Sequence, residues 1–324
     1  MKYCTLIILT MIFLSCSENE YKVYDKFCNE QVCVHFDSTY AEFSSLKIAI
    51  EEREKVFVPD TLININEFLK FNVDKTIVFD KGLYNLDPII LNSNQQLIVP
   101  SGTMLKLSNN SNMPLKGGAF IRAEGSISDR IENVALIING IVDANKKTHS
   151  YEKSGNEGVT FSFSKNCKVV GQGVIRNSSG DGIDIDDSIN LVVEGLKFCS
   201  NSGSGIHFGS PRPITPSFNN LIINTKSTRN GFLLKRSGMD ISWPNENAAI
   251  YINSHSFNNY RNWDIDAEGG LVVNSYSYGE EIIQKDNFSG SDYVFINGER
   301  LNGQKKLISS KQIIEFKSKF KKVY

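Results

Sequence analysis

The sequence lacks an excess of either charge: 35 Lys and Arg stand against 36 Asp and Glu. A balanced chain has no general pull toward nucleic acid or an anionic membrane surface, so nucleic-acid partners are not expected. Histidine is scarce, at 4 residues, and no cysteine–histidine spacing resembles a zinc site. Paired hairpin turn signals such as Asn-Gly between adjacent strands are mostly missing, which argues against propeller blades and antiparallel meanders. Helix-rich composition is missing too. The one long apolar run, from Leu6 to Leu14, is too short for an ordinary membrane span.

That run has the flanks of a signal peptide, with Lys2 before it and Phe13-Leu14-Ser15-Cys16 at its end. The ending resembles the lipobox of bacterial lipoproteins, and this resemblance implies cleavage after residue 15 and lipidation of Cys16. The acidic stretch Ser17-Glu18-Asn19-Glu20 resembles the signal that places some lipoproteins on the outer surface of Gram-negative bacteria. The expected location is therefore the bacterial outer membrane, with the lipid at Cys16 as the sole membrane contact. In that oxidising setting Cys28 and Cys33 are able to close a small disulfide loop, whereas Cys167 and Cys199 read as buried thiols.

What is plentiful is a repeat. Asn166, Asn190, Asn220 and Asn247 each open a short apolar run, at intervals of 24, 30 and 27 residues, and Gly270 opens another 23 residues on. Within each run the residues one and three places on are apolar: Cys167/Val169, Leu191/Val193, Leu221/Ile223, Ala248/Ile250 and Leu271/Val273. Period two makes these strands with one buried face, and a period of roughly 20–50 residues marks a solenoid or array. A second strand follows in each repeat, at Gly182-Ile183-Asp184-Ile185-Asp186 and Gly205-Ile206-His207-Phe208-Gly209. Gly231-Phe232-Leu233-Leu234-Lys235 and Asn262-Trp263-Asp264-Ile265-Asp266 continue it. Several short strands per turn, each stacked on its counterpart, describe an all-β, parallel β-helix with stacked asparagines at a bend.

The expected organisation is a signal peptide over 1–15, a tether and lead-in over 16–39, the β-helix with its N-terminal cap over 40–302, and a lysine-rich tail or cap over 303–324. The cap is read as an amphipathic helix over 40–54, with Phe43, Leu46, Ala49 and Ile50 on one face. Such a solenoid exposes core and unpaired strand edges at its ends, and a helix covers them. Two extended turns, 210–219 and 237–246, are expected to wall a groove.

On these residues the chain resembles the pectin lyase-like superfamily, which implies a right-handed parallel β-helix acting on polysaccharide. Ser179-Gly180-Asp181-Gly182-Ile183-Asp184 and Leu233-Leu234-Lys235 are similar to segments of polygalacturonase-type hydrolases, although that family's Asp-Asp rung is missing and Leu233 replaces its arginine. Asn230-Gly231-Phe232-Leu233-Leu234-Lys235 and Tyr260-Arg261-Asn262-Trp263-Asp264 are similar to segments of the calcium-dependent family nine pectate lyases, with Asp264 the one calcium carboxylate kept.

Outward residues of the second strand are expected in two columns: Asp184, His207, Leu233 and Asp264, beside Asp186, Gly209, Lys235 and Asp266. Gly209 leaves a notch between Asp186 and Lys235. The expected catalytic set is Asp184, Asp186, His207 and Lys235. Arg212, Arg236, Trp243 and Asp264 are expected to bind substrate. Asp187, with Asp184 and Asp186, is a candidate holder of a cation, calcium among the choices, although Asp181 and Asp187 also fit as hydrogen-bond acceptors at a tight bend.

Two chemistries fit this set. In β-elimination on an acidic glycan, Lys235 or His207 takes the proton α to the carboxylate and positive groups stabilise the enolate. In hydrolysis, Asp184 and Asp186 serve as acid and base. The expectation is a surface lipoprotein acting as a polysaccharide lyase. A glycoside hydrolase and a non-catalytic glycan-binding or structural β-helix are the alternatives.

Overall fold

The computed structural model describes residues 52–59, 64–111, 113, 118–149, 156–209, 220–242, 249–265, 271–278, 284, 286 and 293–296. The lipidation residue Cys16, the pair Cys28 and Cys33, nearly all of the 40–54 helix, the 210–219 turn and the basic tail lie outside them.

Every strand pairing among the described residues is parallel. One ladder stacks Thr76–Val78, Gln96–Val99, Ala135–Ile138, Lys168–Val170, Val192–Glu194, Asn220–Ile223 and Ala249–Ile252 in order. A second stacks Gly82–Leu86, Thr103–Leu107, Ile141–Asp143, Val174–Arg176, Lys197–Cys199, Lys226–Thr228 and His255–Phe257. Leu271–Tyr278 runs through both ladders and joins them into one 17-stranded sheet.

The third sheet has seven strands. They are β1 (Ile89–Ile90), β2 (Ala119–Glu124), β3 (Glu157–Ser162), β4 (Ile183–Asp186), β5 (Ile206–Phe208), β6 (Ser237–Ile241) and β7 (Arg261–Ile265). Adjacent rungs lie about 4.8 Å apart, and the inward row of this sheet stacks Ile121, Val159, Ile183, Ile206, Met239 and Trp263, all fully buried.

Part of the expected asparagine ladder is present: Asn166 and Asn190 stack at a corner, whereas Asn220 is a buried strand residue whose amide bonds the backbone of Ser188 and Leu191, and Asn247 lies outside the described residues. Asn133, Asn166 and Asn190 adopt positive φ (58°, 55° and 54°), which turns the chain at each corner, and a short polar side chain tolerates that backbone best. Asn190 Nδ2 donates to Asn166 Oδ1 at 3.0 Å, and Asn133 Nδ2 to Asn94 Oδ1 at 3.0 Å. A deeper ladder runs from Asn201 through Asn230 to Asn259, each backbone N–H donating to the next amide oxygen at 3.0 and 2.9 Å. Cys167 is a free buried thiol that burial pushes up to about 11, whereas Cys199 is disulfide-bonded, not the free thiol expected.

Helix α1 (Ile65–Phe71) was not foreseen. Asn64 caps it by accepting from the Asn66 and Glu67 backbone N–H groups, and Ile65 and Leu69 are buried in the core. Asn66 clamps the helix to β1: its Nδ2 donates to Pro88 O at 2.9 Å, and its Oδ1 accepts from Ile90 N at 2.8 Å. Thus α1 covers the first edge of the seven-stranded sheet. Residues 52–54, the described end of the expected capping helix, are not helical.

Candidate active site

The outward row of the seven-stranded sheet gathers most of the expected site residues. In register it reads Arg122, Thr160, Asp184, His207, Asp240 and Asp264. Asp184, His207 and Asp264 stand where the sequence placed them. The residue between His207 and Asp264 is Asp240, and the expected Leu233 and Lys235 are elsewhere. They lie in a turn over 231–236 that precedes β6, where Phe232 and Leu233 are exposed. The stretch over 237–241, expected as a projecting turn, is itself the strand β6.

Two other expectations need correction. The Gly209 notch is closed, because a side chain at Gly209 would meet Ser242 O at 1.8 Å. Asp187 leaves the column at a φ of 45° and is buried, with Arg130 Nη1 donating to its backbone carbonyl. Arg236 is exposed in the 231–236 turn, close enough to Asp240 for their charges to interact. Arg212, Trp243 and Asp266 lie outside the described residues.

His207 is the hub. Its Nδ1 donates to Asp184 Oδ1 at 2.8 Å and lies 3.7 Å from Asp181 Oδ2. Its Nε2 is enclosed without a hydrogen-bond partner. Burial disfavours the imidazolium, but the Asp184 hydrogen bond and the charges of Asp240, Asp184 and Asp181 outweigh it and hold the ring well above its usual pKa. Asp240 is buried, with Oδ2 accepting from Ser204 Oγ at 3.2 Å and Oδ1 from Ser242 Oγ. Burial raises its pKa against the opposing pull of His207.

Asp181, just before β4, and Glu157, the first residue of β3, join this cluster. Asp181 Oδ1 accepts from Ser204 N and packs where a side chain on Gly203 would sit, 2.3 Å from that position. Glu157 Oε2 packs against Gly180 in the same way, at 1.9 Å, and finds no hydrogen-bond partner. Two glycines therefore make room for two enclosed carboxyls. Burial, reinforced by Asp181 and Asp184, pushes Glu157 well above the usual carboxylate range. Burial also pushes Asp181 up to about 6, with His207 opposing.

Asp186 lies two places beyond Asp184 on the same outward face. One of its oxygens is enclosed without a partner, and burial together with the Asp184 charge pushes it up to about 8. Asp264 forms an ion pair with Arg261.

Sequence reading missed Glu157, Asp181 as a site carboxylate, and Asp240. Asp240 carried a signal: Gly238-Met239-Asp240 repeats the pattern of Gly182-Ile183-Asp184 and Gly205-Ile206-His207.

Asp186 and Asp187, expected to hold a cation with Asp184, do not join it in a close group of ligand atoms. The described residues whose ligand atoms lie within 4.8 Å of one another are Asp181, Asp184 and His207. One donor of this group is an imidazole nitrogen already hydrogen-bonded to Asp184, whereas calcium takes oxygen ligands. The set is a hydrogen-bonded acid–imidazole cluster.

With this geometry in hand, comparison with known proteins places the fold. No protein-family model matches the chain, and no curated protein matches it. Among solved structures, a family 28 exopolygalacturonase of Yersinia enterocolitica aligns at 15% identity with a TM-score of 0.51. That alignment covers 70% of this chain and 56% of the other. A surface adhesin of Streptococcus pneumoniae aligns at the same identity and TM-score, covering 70% of this chain and 63% of that one. The chain thus spans less than two thirds of each. That likeness shows the fold, a right-handed parallel β-helix.

Proposed function

We propose that the chain hydrolyses glycosidic bonds in an extracellular polysaccharide, with Asp186 as general acid and Asp184 as general base. The observation that carries this is the pairing of two carboxyls with unlike environments on one strand face. Asp186 is held protonated up to about pH 8, while Asp184 is engaged by the imidazolium of His207. A carboxyl kept protonated beside a second carboxyl in a different environment fits an acid–base pair. At about 3.3 Å per residue they are separated by roughly 6.6–6.8 Å. That lies at the lower end of the roughly 6.5–9.5 Å of inverting enzymes and above the roughly 5–5.5 Å of retaining ones.

Asp186 gives its proton to the leaving glycosidic oxygen as that bond breaks. Asp184 takes a proton from a water whose oxygen bonds to the anomeric carbon from the opposite side. His207 keeps Asp184 oriented and remains charged throughout. Both carboxyls then exchange with solvent and return to their starting states.

Two placements favour hydrolysis over elimination: Lys235 is off the column, and the acidic neighbours of His207 hold it well above its usual pKa. The charge balance also bears on the substrate. Among the described residues, Glu157, Asp181, Asp184, Asp186, Asp240 and Asp264 stand against His207, Arg261 and, beside Asp240, Arg236, and this acidic excess suits an uncharged sugar at the cleavage point better than a uronate. A second reading, glycan binding without cleavage, is favoured by the equal likeness to a surface adhesin. In either reading the chain acts outside the cell, tethered through Cys16.

The test is incubation of the protein, begun at Cys16, with neutral and acidic polysaccharides, following reducing ends and the ultraviolet absorbance of unsaturated uronyl groups together. Reducing ends without absorbance support hydrolysis. A rise in both assigns elimination, and silence with retained binding assigns the adhesin-like reading.

A further inference from the structure

The 231–236 turn presents an apolar surface that the acid–base reading does not use. Phe232 is 49% exposed and Leu233 65%, at positions where the alternating pattern of the sequence would have buried Phe232. The Phe232 ring meets Tyr260 edge to face, with centroids 6.5 Å apart and planes at 83°. Tyr260 is half-buried and directly precedes β7, which carries Asp264, while the turn itself leads into β6, which carries Asp240.

The turn is built to hold these rings still. Arg236 N donates to Gly231 O at 3.1 Å and closes it, with Gly231 at a φ of 82° and Lys235 at 56°. A side chain at Gly231 would meet Arg236 O at 2.0 Å, so only glycine fits. Gly231 N donates to Asn201 O at 3.2 Å and Leu234 N to Ser202 O at 3.0 Å. Tyr260 N donates to Asn230 O at 3.0 Å. The Asn201–Ser202 segment to which the turn is pinned continues to Ser204, whose N–H holds Asp181. The aromatic pair is thereby fixed to the same frame as the carboxylate cluster.

We infer that Phe232 and Tyr260 form a sugar-stacking subsite, which receives the apolar face of an uncharged pyranose ring next to the acidic column. This rests on the reading of the site as one for polysaccharide, and adds where the neighbouring sugar lies. An exposed aromatic surface contributes through its area and through ring-face contacts, and both are available to the C–H face of a pyranose. Carboxylates alongside take the hydroxyl groups, a division of labour common to ligand sites that combine apolar walls with a few placed polar groups. An exposed apolar pair on a rigid turn beside such a cluster marks a contact site.

The test uses the full chain begun at Cys16 and carrying Asp186→Asn, so that bound sugar is not cleaved. Hexasaccharides of β-1,4-linked glucose, xylose and mannose, and of α-1,4-linked galacturonate, are titrated calorimetrically. At least one neutral hexasaccharide binds. Phe232→Ala and Tyr260→Ala each weaken that binding about tenfold, with an unchanged melting temperature, while Phe232→Tyr retains it. Unchanged affinity in both alanine variants overturns the subsite, as does a chain that binds none of the four or galacturonate alone. If Phe232→Ala instead dissociates a dimer in sedimentation and leaves sugar affinity intact, the surface is a self-association patch and the proposal fails. Binding that depends on Phe232 and Tyr260, by a wild-type chain that cleaves nothing, removes the hydrolase reading and leaves the subsite standing.

Discussion

His207 Nδ1 donates to Asp184 Oδ1 at 2.8 Å across one rung of the solenoid. The two residues are 23 positions apart in sequence and direct neighbours only because β4 and β5 stack in register. The pair is part-buried, and Asp240 lies on the next rung. His207→Ala leaves an acidic cluster without its central cation. Removing one partner of a buried pair costs about 3–5 kcal/mol, so at pH 7 the melting temperature should fall by roughly 6–20 °C. Calorimetry checks this. A change under 2 °C contradicts the pairing.

The same cluster sets the pH dependence of stability. Asp181 and Asp186 are raised by burial to about 6 and about 8, so the folded chain holds protons that the unfolded chain has released near pH 4. Stability therefore declines as pH rises from about 4 to about 8. His207 acts in the same direction: its raised pKa stabilises the fold fully below its unfolded value, and that contribution is lost as pH rises through the folded one. The groups interact, so the steps belong to the cluster and not to single residues. Melting temperatures between pH 4 and 9 should fall steadily, and Asp186→Asn should flatten the curve and raise its alkaline end. A wild-type profile that climbs toward pH 8 contradicts the burial of these carboxyls.

Register supplies a third prediction. Asp240 belongs to the column and Lys235 does not. Asp240→Ala should reduce turnover at least tenfold by unpairing the cluster beneath His207, whereas Lys235→Asn, which keeps the positive φ, should change it less than twofold. Steady-state rates on any cleaved polysaccharide decide this, and the reverse order restores the column expected from sequence.

That misplacement shows where sequence reading stops. Period two and the recurring asparagines identified the parallel β-helix and most strand positions, because burial on one face and αL corners are local requirements. The distance from the buried asparagine ladder to the next strand is not local. Gly205 follows Asn201 by four residues, whereas Gly238 follows Asn230 by eight, and the added length is taken up by the 231–236 turn that carries Phe232. Gly231-Phe232-Leu233 alternates as well as Gly238-Met239-Asp240 does, so only the stacking of Asn230 between Asn201 and Asn259 selects the second. Glu157 was illegible for another reason: its enclosure depends on Gly180 in the following rung.

The glycine column before these strands is itself testable. A side chain at Gly205 would meet Ser227 Oγ at 2.3 Å and Gly238 O at 2.6 Å, and the second is backbone that cannot swing aside. Gly205→Ala should destabilise by about 1–3 kcal/mol, read as a lower denaturation midpoint with an unchanged slope. A neutral effect places the strand elsewhere.

The most direct test of the acid–base assignment compares the wild-type chain with Asp186→Asn on whichever polysaccharide yields reducing ends. General acid–base groups contribute about 10²–10⁴-fold. The account predicts a loss of that size at pH 7, no fall in melting temperature, and a first product whose anomeric proton signal shows inversion. Cleavage by Asp186→Asn at the wild-type rate, or a product of retained configuration, would contradict it.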